Sequence, residues 1–67
     1  MHDELVHRVA ARLDQLGCHV SNFWISTSEG GLLLHGSVGT YYSKQQAQQV
    51  AMEMSGRSIV SNEIEVD

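Results

Sequence analysis

The spacing of apolar residues switches between a helical and an alternating period three times along this chain. That succession limits the fold more than any single residue does. Leu5, Val6, Val9, Ala10, Leu13 and Leu16 recur at helical spacing between Asp3 and Leu16, which predicts a first helix. Asp3 suits the cap before it and Gly17 the left-handed position after it. From Val20 to Thr27 the residues are β-branched and aromatic: Val20, Phe23, Trp24, Ile25 and Thr27. Ser28-Glu29-Gly30-Gly31 then marks a turn and Leu32 to Val38 resumes the apolar run, so the two runs read as a hairpin.

Thr40-Tyr41-Tyr42-Ser43 opens a second helix. Ser43 with Gln46 has capping-box spacing, and Thr40 is an equally good cap one turn earlier. Ala47, Val50, Ala51 and Met54 form its apolar stripe and Gly56 ends it. Ile59 to Val66 alternates imperfectly and reads as one last strand. The order α-β-β-α-β makes an α+β fold: a two-layer sandwich, with both helices on one face of a three-stranded sheet. The last strand has either hairpin edge open to it as a partner.

Covering one face of a sheet leaves the other bare, and alternation assigns the residues there. Phe23, Ile25, Leu32 and Leu34 are the natural inward set, so Trp24, Leu33 and His35 point outward. If Ile64 and Val66 point inward, Ile59 joins the outward group. An open face with Trp24, Leu33 and Ile59 is more apolar than contact with water requires. An aromatic with aliphatic neighbours is the usual centre of an interface.

The chain has 67 residues, enough for one domain spanning 1–67. A core this small has a thin stability margin, which favours tidy packing or association into a homo-oligomer. Cys18 is the one cysteine, which excludes an internal disulfide and a multi-thiolate zinc site. Four Lys and Arg face eight acids, a formal charge of −4. The cations are scattered, so the basic stripe that nucleic acid requires is missing, and nucleic acid is not an expected partner. The apolar runs, Leu32-Leu33-Leu34 among them, fall far below the roughly 18 residues of a membrane span. Met1-His2-Asp3-Glu4 lacks the basic-then-apolar layout of a signal peptide. The chain as it stands is thus expected in the cytoplasm, or in the periplasm or envelope if it is a domain of a longer exported protein.

No motif carries catalytic chemistry, and the chain is not expected to be an enzyme or to hold a cofactor. Gly36-Ser37-Val38-Gly39 spells the G-x-x-G that clamps a nucleic-acid backbone when it joins two helices with cations nearby. Here it ends a strand, where Gly36 permits close packing and Gly39 turns the chain. His2, His7, His19 and His35 are scattered, with no pair at the (i, i+4) spacing of a zinc-binding helix, so no metal site is expected. Cys18 and His19 are adjacent and in extended chain point to opposite sides. Glu63, Glu65 and Asp67 give the last strand an acidic edge that discourages unwanted pairing.

Between Phe23 and Val66 the chain resembles the BON domain, a small bacterial module named for osmotically inducible and nodulation proteins. Phe23-x-Ile25-x-Thr27, Gly30-x-Leu32-x-Leu34-x-Gly36-x-Val38, Tyr41, Gly56 and Ile59-Val60-Ser61-Asn62-Glu63-Ile64-Glu65-Val66 carry the likeness. The resemblance implies the same α-β-β-α-β order and a non-catalytic binding role, attaching proteins to phospholipid or envelope surfaces. It also implies that one tyrosine of the Tyr41-Tyr42 pair packs over the core. The lipid contact would then use the surface tyrosine, Lys44 and the helix N-terminus, so Tyr41, Tyr42 and Lys44 are its candidates. The residues themselves point to a different partner, a protein or a second copy, held at Trp24, Leu33, His35 and Ile59.

Overall fold

The computed structural model describes residues 3–67. Its elements are α1 (Asp3–Gln15), β1 (Ser21–Ser28), β2 (Gly31–Val38), α2 (Tyr41–Ser55), β3 (Ile59–Asn62) and β4 (Glu65–Val66). This is the α+β fold with two helices and a mixed sheet, but the sheet has four strands where three are expected. β2 is the central strand. It pairs antiparallel with β1 on one side and parallel with β3 and then β4 on the other, so β2–α2–β3 is a crossover unit.

The expected single last strand breaks at Glu63–Ile64 because Asn62 diverts the chain. Its Oδ1 accepts from the Ile64 N–H at 3.1 Å, while its Nδ2 donates to the Lys44 carbonyl at 3.0 Å and to Gln48 Oε1 at 3.2 Å. Asn62 thereby joins the strand edge to α2. Between the two short strands, the Glu63 N–H still donates to the Leu34 carbonyl at 2.8 Å.

One core lies between the sheet and both helices. Val6, Val9 and Leu13 enter it from α1, and Ala47, Val50 and Ala51 from α2. The sheet contributes Ile25, Leu32, Leu34 and Val38 from the hairpin, with Ile64 beside β3 and β4. The helices end as their residues dictate. After α1, the Gly17 N–H donates to the Asp14 carbonyl and the Cys18 N–H to that of Leu13, with Gly17 left-handed at φ 76°. This paired closure carries Cys18 over Leu13 and buries it, with its Sγ 3.8 Å from the Ser43 carbonyl of α2. Of the expected α1 stripe, Ala10 and Leu16 stay exposed, Leu16 because the helix has already closed. Asp3, expected as the cap before α1, is itself helical, and the residues before it lie outside the described residues. Thr40 caps α2, its Oγ1 accepting from the Ser43 N–H at 3.0 Å.

The hairpin turns through Glu29 and Gly30, both at positive φ (51° and 81°), as a two-residue turn between twisted strands requires. β1 carries a bulge between Ser21 and Trp24, with Asn22 at φ 54°. Gly36 lies across from that bulge at φ 145°, where a Cβ would stand 2.9 Å from the Ser21 carbonyl oxygen. Gly39 differs: its backbone is outside the left-handed region and nothing lies within 4 Å of a Cβ there, so no conformational need for glycine exists at that turn.

Candidate functional site

The face of the sheet turned away from the helices is bare. Trp24 of β1 lies opposite His35 of β2, and Ser26 opposite Leu33, with Ile25 and Leu34 alternating into the core. Trp24 is 49% exposed, a large apolar surface for one residue of so small a protein. Trp24, Leu33 and His35 thus share the outer face as alternation requires.

Ile59 does not. It packs against the core, in register with Leu32, and the residue that turns outward is Val60, which is 48% exposed. The cause is a shift in the β2–β3 pairing. Leu32 pairs with Ile59 but Leu33 pairs with Ser61, leaving Val60 as an extra residue. Ile59 and Ile64 are an odd number of positions apart, so strict alternation puts them on opposite faces. One bulged residue restores both to the core. Val60 lies over Gly31, where a Cβ would collide with the valine side chain. The place of a side chain in β2 is thus taken by one from β3.

His35 has a polar neighbour on either side on this face. Its Nε2 is 3.0 Å from Ser26 Oγ, one sharing a hydrogen with the other according to the tautomer. Its Nδ1 is 3.7 Å from Glu63 Oε1. Ser26, His35 and Glu63 come from three lanes of the sheet and meet only because of its register. The site is therefore a polar line across β1, β2 and the β3–β4 break, with Trp24 beside it and Leu33 and Val60 further along the face. Ser26, Val60 and Glu63 were not legible in the sequence. Only the odd spacing of Ile59 and Ile64 carried a signal, of one bulged residue somewhere between them, and the observed pairing puts it at Val60.

The second set of candidates sits on the other side of the sheet, at the first turn of α2. Both tyrosines are surface residues there, Tyr41 at 64% and Tyr42 at 72% exposure, so neither packs over the core. The stripe of α2 through Ala47, Val50 and Ala51 projects back to Ser43 one turn earlier, and Tyr41 and Tyr42 fall to either side of it. The Tyr41 hydroxyl accepts from Gln45 Nε2 at 2.7 Å. Tyr42 borders a shallow groove of about 350 Å³ with Gln45, Gln46 and Gln49. Lys44 is half-buried. The structure therefore brings Tyr41, Tyr42 and Lys44 to one helix end, and keeps them apart from Trp24, Leu33 and His35.

His7 and His19 are exposed on α1 and on the connection to β1, and His2 lies outside the described residues. Among the described residues no three His, Cys, Asp or Glu side chains are grouped to hold a metal ion. No helix among them is long and apolar enough to cross a membrane. A cleft of about 330 Å³ opens between α1 and the chain entering β1, where Asp14 and His19 are its polar residues.

Two helices packed on one side of a mixed sheet, with the opposite side bare, define a small α+β module rather than an enclosed pocket. A family model described as BON domain matches residues 3–67. The chain belongs to the BON domain family. No curated protein and no solved structure matches it.

Proposed function

We propose that the protein is a non-catalytic interaction module whose working surface is the bare face of the sheet, and that its partner is a protein. The exposure of Trp24, on the same face as Leu33 and Val60, carries this reading. An aromatic anchor among aliphatic residues, with a polar line able to orient the contact, is how protein interfaces are built. Ser26, His35 and Glu63 stand in the order of a nucleophile, base and orienting acid. The 3.7 Å between His35 and Glu63 is too long for a hydrogen bond, however, and the surroundings do not suit catalysis either. Sheet N–H groups lie in the plane of the sheet, so none faces an oxyanion held above it. A flat face also offers no walls to exclude water.

Trp24 is the only tryptophan, so its fluorescence reports on this surface directly. A partner protein retained by the immobilised domain should shift Trp24 emission to the blue and be lost with Trp24→Ala. Retention that is unchanged by Trp24→Ala and Val60→Ser, with Trp24 emission still that of a water-exposed indole, overturns the reading.

Attachment to a phospholipid or envelope surface is the second reading, favoured by the side-by-side exposure of Tyr41 and Tyr42 at a helix N-terminus. It predicts flotation with anionic vesicles that survives Trp24→Ala and fails when Tyr41, Tyr42 and Lys44 are all replaced by alanine. The formal charge of −4 opposes it at low salt.

A further inference from the structure

We propose that the free edge of β1 pairs antiparallel with the same edge of a second copy of the chain, joining two sheets into one. This surface is distinct from the bare face. Among the described residues β1 pairs only with β2, so its other side presents unpaired backbone groups.

The hairpin geometry says which groups these are. Ser28 and Gly31 flank a two-residue turn, so they form a hydrogen-bonded pair. Bonding then alternates along β1: Ser28, Ser26 and Trp24 are spent on β2, while Thr27 and Ile25 turn their N–H and C=O outward.

Edges left like this are normally blunted by charge, by proline or by interruption. Ser21–Ser28 contains no charged residue and no proline. Its one protective device is the bulge at its start, which leaves Trp24–Ser28 regular. The opposite edge is treated differently, being broken into strands of four and two residues and lined by Glu63, Glu65 and Asp67. Pairing that edge with its own copy would bring these acids together. In a chain of charge −4, β1 is the edge where a second copy meets no acid along the strand itself.

The occupant follows from self-complementarity. Two antiparallel strands related by a twofold axis keep their faces matched only when the axis passes through a residue. With the axis at Ser26, Ile25 faces Thr27 of the second copy, and both have their backbone groups turned toward the seam. Trp24 then faces Ser28 of the second copy on the outer side. The regular stretch is used in full, and the bare faces of the two copies become continuous.

The test is amide exchange of the wild-type protein, resolved by residue, over a roughly hundredfold concentration range, alongside sedimentation. The Ile25 and Thr27 amides should exchange freely when dilute and become protected as the protein associates. Those of Trp24 and Ser26 should be protected throughout.

Thr27→Pro removes an outward N–H without touching the β1–β2 ladder and should raise the dissociation constant by about a hundredfold, since each copy loses a donor. If that variant does not fold, Thr27→Lys places a charge at the same edge and should weaken association in the same sense. Val60→Ser alters the bare face only and should leave association unchanged. A monomer across the whole range, association without protection of Ile25 and Thr27, or association lost in Val60→Ser but kept in Thr27→Pro each overturns the proposal. Loss in Val60→Ser alone would instead place the self-contact on the bare face, whereas the other two outcomes do not bear on whether that face binds a protein.

Discussion

Replacing Gly36 by alanine separates a glycine the fold requires from one it merely contains, because Gly39, three residues on, serves as its control. Gly36 has φ 145°, a conformation that L-residues rarely adopt, and imposing it on alanine costs about 1–3 kcal/mol. The new methyl would also stand 2.7 Å from Val20 Cγ1 and 2.9 Å from the Ser21 carbonyl oxygen. Val20 could shift, but the carbonyl belongs to the bulged start of β1 and cannot withdraw without opening the β1–β2 pairing. Forcing atoms into a packed site adds about 1–3 kcal/mol. A chain of this length has about 3–10 kcal/mol of stability in all. With each kcal/mol worth about 4–8 °C in a domain of this size, Gly36→Ala should lower the melting temperature by roughly 15 °C or prevent folding. Gly39→Ala meets no atom within 4 Å and needs no left-handed backbone, so it should be neutral or stabilise by up to about 1 kcal/mol through the unfolded chain. Thermal unfolding followed by circular dichroism compares the two. A Gly36→Ala melting point within about 3 °C of wild type, or an equal fall for Gly39→Ala, would refute the reasoning.

Three further substitutions probe other supports. Thr40→Ala deletes the α2 cap and should cost about 1 kcal/mol, read as a modest fall in denaturant midpoint with unchanged slope. Asn62→Ala leaves the Ile64 N–H without its acceptor and removes the side-chain donor to the Lys44 carbonyl, and should cost about 1–3 kcal/mol, with faster amide exchange across β3 and β4. Leu34→Ala empties the centre of the core and should cost about 2–5 kcal/mol, enough to leave much of the protein unfolded at 37 °C by near-ultraviolet circular dichroism.

The fold was largely legible because its signals are local. Helical spacing in α1 and α2, the left-handed glycines at Gly17 and Gly56, and the Thr40 cap each act within a few residues. The hairpin was legible for the same reason, since Glu29-Gly30 determines how its two strands meet. Trp24, Leu33 and His35 followed from the alternation within that hairpin. Outside such short-range rules the expectations failed. Ile59 was placed on the wrong face because alternation was counted through a strand that contains a bulge. One of the two tyrosines was expected in the core, yet the phase of α2 against the sheet leaves both in solvent. The last strand is two short strands, since Asn62 forms bonds to a helix 14 and 18 residues earlier in the chain.

The amino-acid sequence alone therefore determined the order of elements, the hairpin, the helix ends and the existence of an uncovered sheet face carrying Trp24. These depend on torsional preference and apolar period, which neighbouring residues decide between them. Tertiary structure decided that β3 and β4 lie beside β2, that Val60 rather than Ile59 faces outward, and that Ser26 and Glu63 flank His35. Those outcomes rest on pairing between segments distant in sequence. A shift of one residue in such pairing reverses every side chain beyond it, and only the packed core selects the register that buries Ile59 and Ile64 together.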